Sequence, residues 1–141
     1  PEMSAALVRH AIADLQRQAF SQLQGPKAPA ERLVDFIKGF VSYTRNGSTD
    51  CLLAVFSHHR TASADDEAQI QNIATQFADW HNALTAVFEV AGCKPRRAAQ
   101  DARQLLSTLY GALLTAKMFD DQESFLQAAK RCRKDIINRF A

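Results

Sequence analysis

Cysteine is sparse in this sequence and never closely spaced: Cys51, Cys93 and Cys132 stand about forty residues apart, without a C-x-x-C pair. That spacing argues against a dense disulfide scaffold and a cysteine-built zinc site, and makes a reducing cytoplasm the expected compartment. Five glycines and four prolines are too few for a collagen-like or Pro/Gly-rich disordered chain. No apolar run approaches the roughly 18 residues that a membrane-spanning helix needs. No charged-then-apolar segment opens the chain as a signal peptide would. Also missing are a G-x-S-x-G elbow, an H-E-x-x-H pair, a phosphate-cradling glycine loop and a dinucleotide fingerprint. No catalytic residue, metal or cofactor is therefore expected.

What is present suits one folded unit over residues 1–141, with 47% hydrophobic and 23% charged residues. The net charge of +2 hides an asymmetry. Residues 1–93 hold seven Lys/Arg against ten Asp/Glu, whereas residues 94–141 hold ten against five. Asp101, Asp120, Asp121, Glu123 and Asp135 interrupt the basic run. It reads as a solvated helix face rather than a nucleic-acid patch.

Glycine and proline divide the chain into pieces with helical periodicity. The breaks fall at Gly25-Pro26, Asn46-Gly47-Ser48, Gly92 with Pro95, and Asp120-Asp121, with a polar connection at Ser57–Asp66. Six helices are predicted. The first, about 2–24, aligns Val8, Ile12, Leu15, Ala19 and Leu23, with His10, Asp14 and Arg17 opposite. The second, about 29–45, carries Leu33, Phe36, Ile37, Phe40, Val41 and Thr44 over a broad arc, so it should be buried on more than one side. A short third helix, about 49–57, holds Cys51 to Phe56. The fourth, about 65–91, opens on acids that suit a helix N-terminus and aligns Ile70, Ile73, Phe77, Leu84 and Phe88. The fifth, about 95–119, has leucines around nearly half its circumference. The sixth, about 121–139, has a narrower seam of Phe125, Ala129, Cys132, Ile136 and Phe140, with Asp120 or Asp121 as its cap. The fold class is all-α.

Few residues invite chemistry. His58 and His59 are adjacent, and neighbours on a helix point about 100° apart, so they cannot chelate together. His81 lies within the apolar stripe of the fourth helix. A histidine there either bonds a neighbouring carbonyl or hydroxyl, or lines a cavity with polar atoms. Phe36, Phe40, Phe56, Phe77, Trp80 and Tyr110 come from several helices that could converge. With His81 and Leu84 they form the candidate ligand-binding set, for a small apolar or aromatic molecule. Cys51, in a first helical turn with Lys117 as a conceivable cationic partner, is a candidate redox sensor, with Cys93 the competing thiol. Gly111 in mid-helix costs about 1 kcal/mol against alanine, which points to close helix approach or to space for a ligand.

The order of these pieces resembles a known family. Asp50-Cys51-Leu52-Leu53-Ala54 resembles the G-C-L-L-A start of the short central helix in TetR-family transcriptional regulators. Downstream, Phe77-x-x-Trp80-x-x-x-Leu84, then Gly92, then Tyr110-Gly111-Ala112-Leu113-Leu114-x-Ala116-Lys117 resembles the rest of that family's C-terminal domain. Its last motif commonly reads E-G-A-L-L-L-A-R. Asp50, Tyr110 and Lys117 depart from the usual Gly, Glu and Arg.

The resemblance implies a six-helix effector-binding and dimerisation domain of a transcriptional repressor, whose last two helices form a four-helix bundle with a second copy. It implies homodimer contacts at Leu106, Tyr110, Leu114, Phe125, Ala129 and Ile136. It further implies a small-molecule inducer, and operator DNA bound through an N-terminal helix-turn-helix segment that this sequence lacks. The competing expectation is a free-standing helical interaction module that starts at Met3.

Overall fold

The structure, a computed structural model, describes residues 5–45 and 64–141. Regular structure there is helical throughout: α1 (Ala5–Gln18), a 3-10 turn (Phe20–Leu23), α2 (Pro29–Thr44), α3 (Ala64–Val90), α4 (Pro95–Phe119) and α5 (Gln122–Phe140). The expected short helix at 49–57, with Cys51 and Phe56, lies outside the described residues. So do the side chains of Asp65, Asp66 and Ile70.

Helix ends follow local chemistry. Pro29 and Pro95 open α2 and α4 at a position where the missing N–H is not needed. Gly92, at φ +112°, closes α3: its N–H reaches the Glu89 carbonyl, and Cys93 N–H reaches Phe88 at 3.1 Å. This is a Schellman stop, and it turns the chain back along α4. Asp120 takes the left-handed position after α4 at φ 50°, where glycine is commoner. Asp121 then caps α5 by accepting from Ser124 N–H at 3.2 Å. Of the two candidate caps, Asp120 thus ends one helix and Asp121 starts the next.

The one long helix expected at 2–24 ends instead at Gln18 and tightens into the 3-10 turn. The cause sits on α2. A Cβ added to Gly39 would lie 1.8 Å from the Gln18 carbonyl oxygen and 2.9 Å from Ala19 Cα, so backbone presses on backbone there. The turn that follows brings both Phe20 and Leu23 inward. Asp14, expected on the polar face, is also buried, and it accepts from Arg17 and, at 2.8 Å, from the Gln18 amide. The helix end therefore carries its own buried carboxylate with two donors, as a buried charge requires.

The hydrophobic core runs between α2 and the other elements. Leu33, Phe36, Ile37, Phe40 and Tyr43 of α2 are all fully buried, which agrees with the broad apolar arc. α2 packs against α1, the 3-10 turn, α3 and α5, while α4 packs between α3 and α5. At the far end of the α4/α5 pair, Arg139 donates to Asp101 at 2.7 Å, and Arg97 reaches the same carboxylate at 3.1 Å. Burial pushes the Asp101 carboxyl up, but the bonds from the two guanidinium groups outweigh it and hold it below the usual range.

Gly39→Ala should lower stability by about 3 kcal/mol or prevent folding, the upper end of an overpacked core, as read by urea denaturation. Because the obstacle is a carbonyl, Gln18→Ala should not rescue it. A neutral Gly39→Ala would show that α1 and α2 do not touch there.

Candidate functional site

Aromatic rings from five elements form a continuous chain through the core. Phe36 meets Phe20 at 4.8 Å between centroids, and Phe20 stacks on Trp80 at 4.4 Å, with planes only 5° apart. Trp80 meets Phe77 edge-on at 5.1 Å, Phe77 meets Tyr110 at 5.4 Å, and Tyr110 meets Phe40 at 5.0 Å. Phe40 also approaches Phe125 of α5 at 6.2 Å. Edge-to-face pairs place ring hydrogens on neighbouring π faces, a favourable arrangement of quadrupoles. Trp80 directs its indole N–H to the Gln16 side-chain oxygen on α1, at 2.6 Å.

The structure thus brings together Phe36, Phe40, Phe77, Trp80 and Tyr110 of the expected ligand set, with Leu84 buried nearby in the same core. Phe56 lies outside the described residues. The sequence reading missed Phe20, Tyr43 and Gln16. Phe20 follows α1 by two residues, so its inward position depends on the α1 break. Gln16 is an ordinary polar residue on a helix side, and nothing local distinguishes it.

The Tyr110 hydroxyl is buried and has no hydrogen-bond partner. Burial pushes its pKa well above the ordinary tyrosine value, and the nearby Tyr43 phenol pushes it in the same direction. A buried hydroxyl left unpaired costs about 1–3 kcal/mol. Such a group is the polar anchor that an otherwise apolar binding site needs.

His81 occupies the edge rather than the middle of the site. Its Nε2 lies 2.9 Å from the Ala99 carbonyl oxygen. A carbonyl only accepts, so Nε2 carries the hydrogen of this bond. The ring also lines a groove of about 470 Å³ between α3 and α4, with Phe77, Asn82, Arg103, Leu106 and Ser107. Both alternatives read from the sequence, the carbonyl bond and the cavity wall, are therefore present.

The expected dimer residues divide. Phe125 and Ala129 are fully buried and Ile136 is 3% exposed, because the seam of α5 packs on α2 and α4. These three are covered within the protomer itself. Tyr110 belongs to the aromatic chain, Leu106 is half-buried beside it, and Leu114 is exposed. Cys51 is outside the described residues, so its pairing with the exposed Lys117 falls there too. Among the described residues no cluster of His, Cys, Asp and Glu is placed to hold a metal, and no helix is long and apolar enough to cross a membrane.

Tyr110→Phe should raise stability by about 1 kcal/mol, since it deletes an unpaired buried hydroxyl without changing the ring contacts. Thermal denaturation reads the sign. A loss of stability would show that the hydroxyl is bonded in the folded protein.

No curated protein and no solved structure matches the chain. The family model for the C-terminal domain of LmrA/YxaF-like transcriptional regulators matches residues 29–131, from the start of α2 into the middle of α5. That span holds Phe36, Phe40, Phe77, Trp80, Tyr110 and Phe125, and with the all-helical architecture it shows that the chain belongs to the TetR-type C-terminal domains of LmrA/YxaF-like transcriptional regulators.

Proposed function

We propose that this chain is the effector-binding and dimerisation domain of a TetR-like repressor that releases operator DNA on binding a small apolar or aromatic molecule. The observation that carries the reading is the unpartnered Tyr110 hydroxyl within the aromatic chain. An aromatic ligand with one acceptor atom gains both ring contacts and a hydrogen bond there. Displacement of Phe77 by such a ligand acts on Trp80, and through Trp80 on Gln16 and Phe20 at the end of α1. In regulators of this kind the DNA-binding segment lies N-terminal to this domain, so α1 is the element through which it would be reached. A ligand that prefers one setting of α1 shifts the population toward head spacings that no longer match successive major grooves.

Two arms test this in a mobility-shift assay with the full-length regulator and its upstream DNA. A ligand that releases the wild type should lose about tenfold in potency against Tyr110→Phe, the loss expected from one hydrogen bond worth roughly 1.4 kcal/mol. Failure to bind that DNA with or without candidate ligands would overturn the repressor reading.

The dimer contact is proposed on the outward face of α4. Gly111 is exposed in mid-helix, and a Cβ there would meet nothing within 4 Å, so the protomer itself has no use for a glycine. One and two turns on lie Leu114, 49% exposed, and Met118, 73% exposed. A small residue beside exposed apolar ones lets a second helix approach closely. Leu114→Glu with Met118→Glu should convert dimer to folded monomer in light scattering. An unchanged dimer mass would place the contact elsewhere.

A further inference from the structure

We propose that the groove between α3 and α4 is a binding site for a small aromatic monocarboxylate, next to the Tyr110 site across their shared Phe77 ring and tested without the DNA-release reading. Its two walls have complementary chemistry. On α3, Ala74, Phe77, Ala78 and His81 recur at helical spacing and face α4. The two alanines leave depth, and the half-buried Phe77 ring supplies an aromatic wall. On α4, Arg103 and Ser107 stand one turn apart, with Leu106 between them. Asn82 completes the polar side.

Charge decides what fits. Arg103 is the one charged residue in the lining. Unlike Arg97 and Arg139, which share Asp101, it makes no ion pair among the described residues. A guanidinium presents two parallel N–H donors that match a carboxylate. The Ser107 hydroxyl and the Asn82 amide are further donors on the same rim. A single cation suits a monoanion, whereas a phosphate dianion would want a second. The volume of about 470 Å³ falls in the range of small-molecule sites and holds one or two fused rings. The carboxylate then sits at the Arg103 rim and the ring lies against Phe77 and Leu106. The groove lies toward the N-terminal half of α4 from Gly111, Leu114 and Met118, so the two proposed surfaces do not compete.

Isothermal calorimetry on the full chain tests the site with three probes of one ring system: 2-naphthoate, 2-naphthamide and 2-naphthyl phosphate. Saturable binding of 2-naphthoate is expected, weakened about tenfold or more in Arg103→Gln, with the neutral amide bound weakly and alike by both proteins. Arg103 is exposed, so this variant should fold as the parent does. Phe77→Leu should weaken the carboxylate and the amide together, because it removes the ring wall and leaves the charge. Absence of 2-naphthoate binding up to about 2 mM, the weak end of measurable affinity, would overturn the proposal. So would equal affinity in Arg103→Gln, and tighter binding of the phosphate would overturn the monoanion assignment. The readout involves no DNA, so each result leaves the repressor reading to its own assay.

Discussion

The contact on which the rest of this structure depends is a backbone crossing with no side chain in it. Gly39 of α2 admits the Gln18 carbonyl at a distance that any Cβ would forbid. The crossing determines where α1 stops, and the stop creates the 3-10 turn. The turn puts Phe20 between Phe36 and Trp80. Without the crossing α1 would continue, Phe20 would point elsewhere, and the ring chain would lack the link between α2 and α3. A glycine inside a helix weakens that helix by about 1 kcal/mol. Here that cost is offset by the packing of two helices and an aromatic stack.

The core built on this crossing is apolar but not uniform. Asp14 is buried with two donors, the Trp80 indole has Gln16, and the Asp101 carboxylate has two guanidinium groups. Beside these satisfied groups, the Tyr110 hydroxyl is buried without a hydrogen-bond partner. Natural cores retain few unpaired polar atoms, and this one belongs to a ring held edge-on between Phe40 and Phe77. The groove lies just across Phe77 from this hydroxyl, so one ring belongs to both places.

Periodicity and punctuation made most of the helices legible. Pro29, Gly92 and Pro95 marked their ends because each acts through local backbone geometry. The convergence of Phe36, Phe40, Phe77, Trp80 and Tyr110 followed from their places on apolar stripes. What escaped depends on pairs of residues distant in sequence. The α1 break comes from Gly39, twenty-one residues beyond Gln18, and an amphipathic pattern in α1 alone reads straight through it. Asp14 looked solvated because a period of 3.6 gives direction, not the depth at which a neighbouring helix lies. Phe125, Ala129 and Ile136, expected at a dimer contact, are already covered within the protomer, and the reason this escaped is related. An apolar seam states that it is covered, not whether the cover is the same chain or another.

The flat stack of Trp80 on Phe20 has an optical consequence. Trp80 is the chain's one tryptophan, it is buried, and its indole N–H and its ring face are both held by residues at the end of α1. Indole emission responds to the polarity around the ring and to the loss of such a bond. A shift of α1 by even a fraction of a helical turn therefore changes the colour and intensity of the molecule's only indole fluorophore. The protein carries an intrinsic gauge of α1 position that needs neither a label nor DNA.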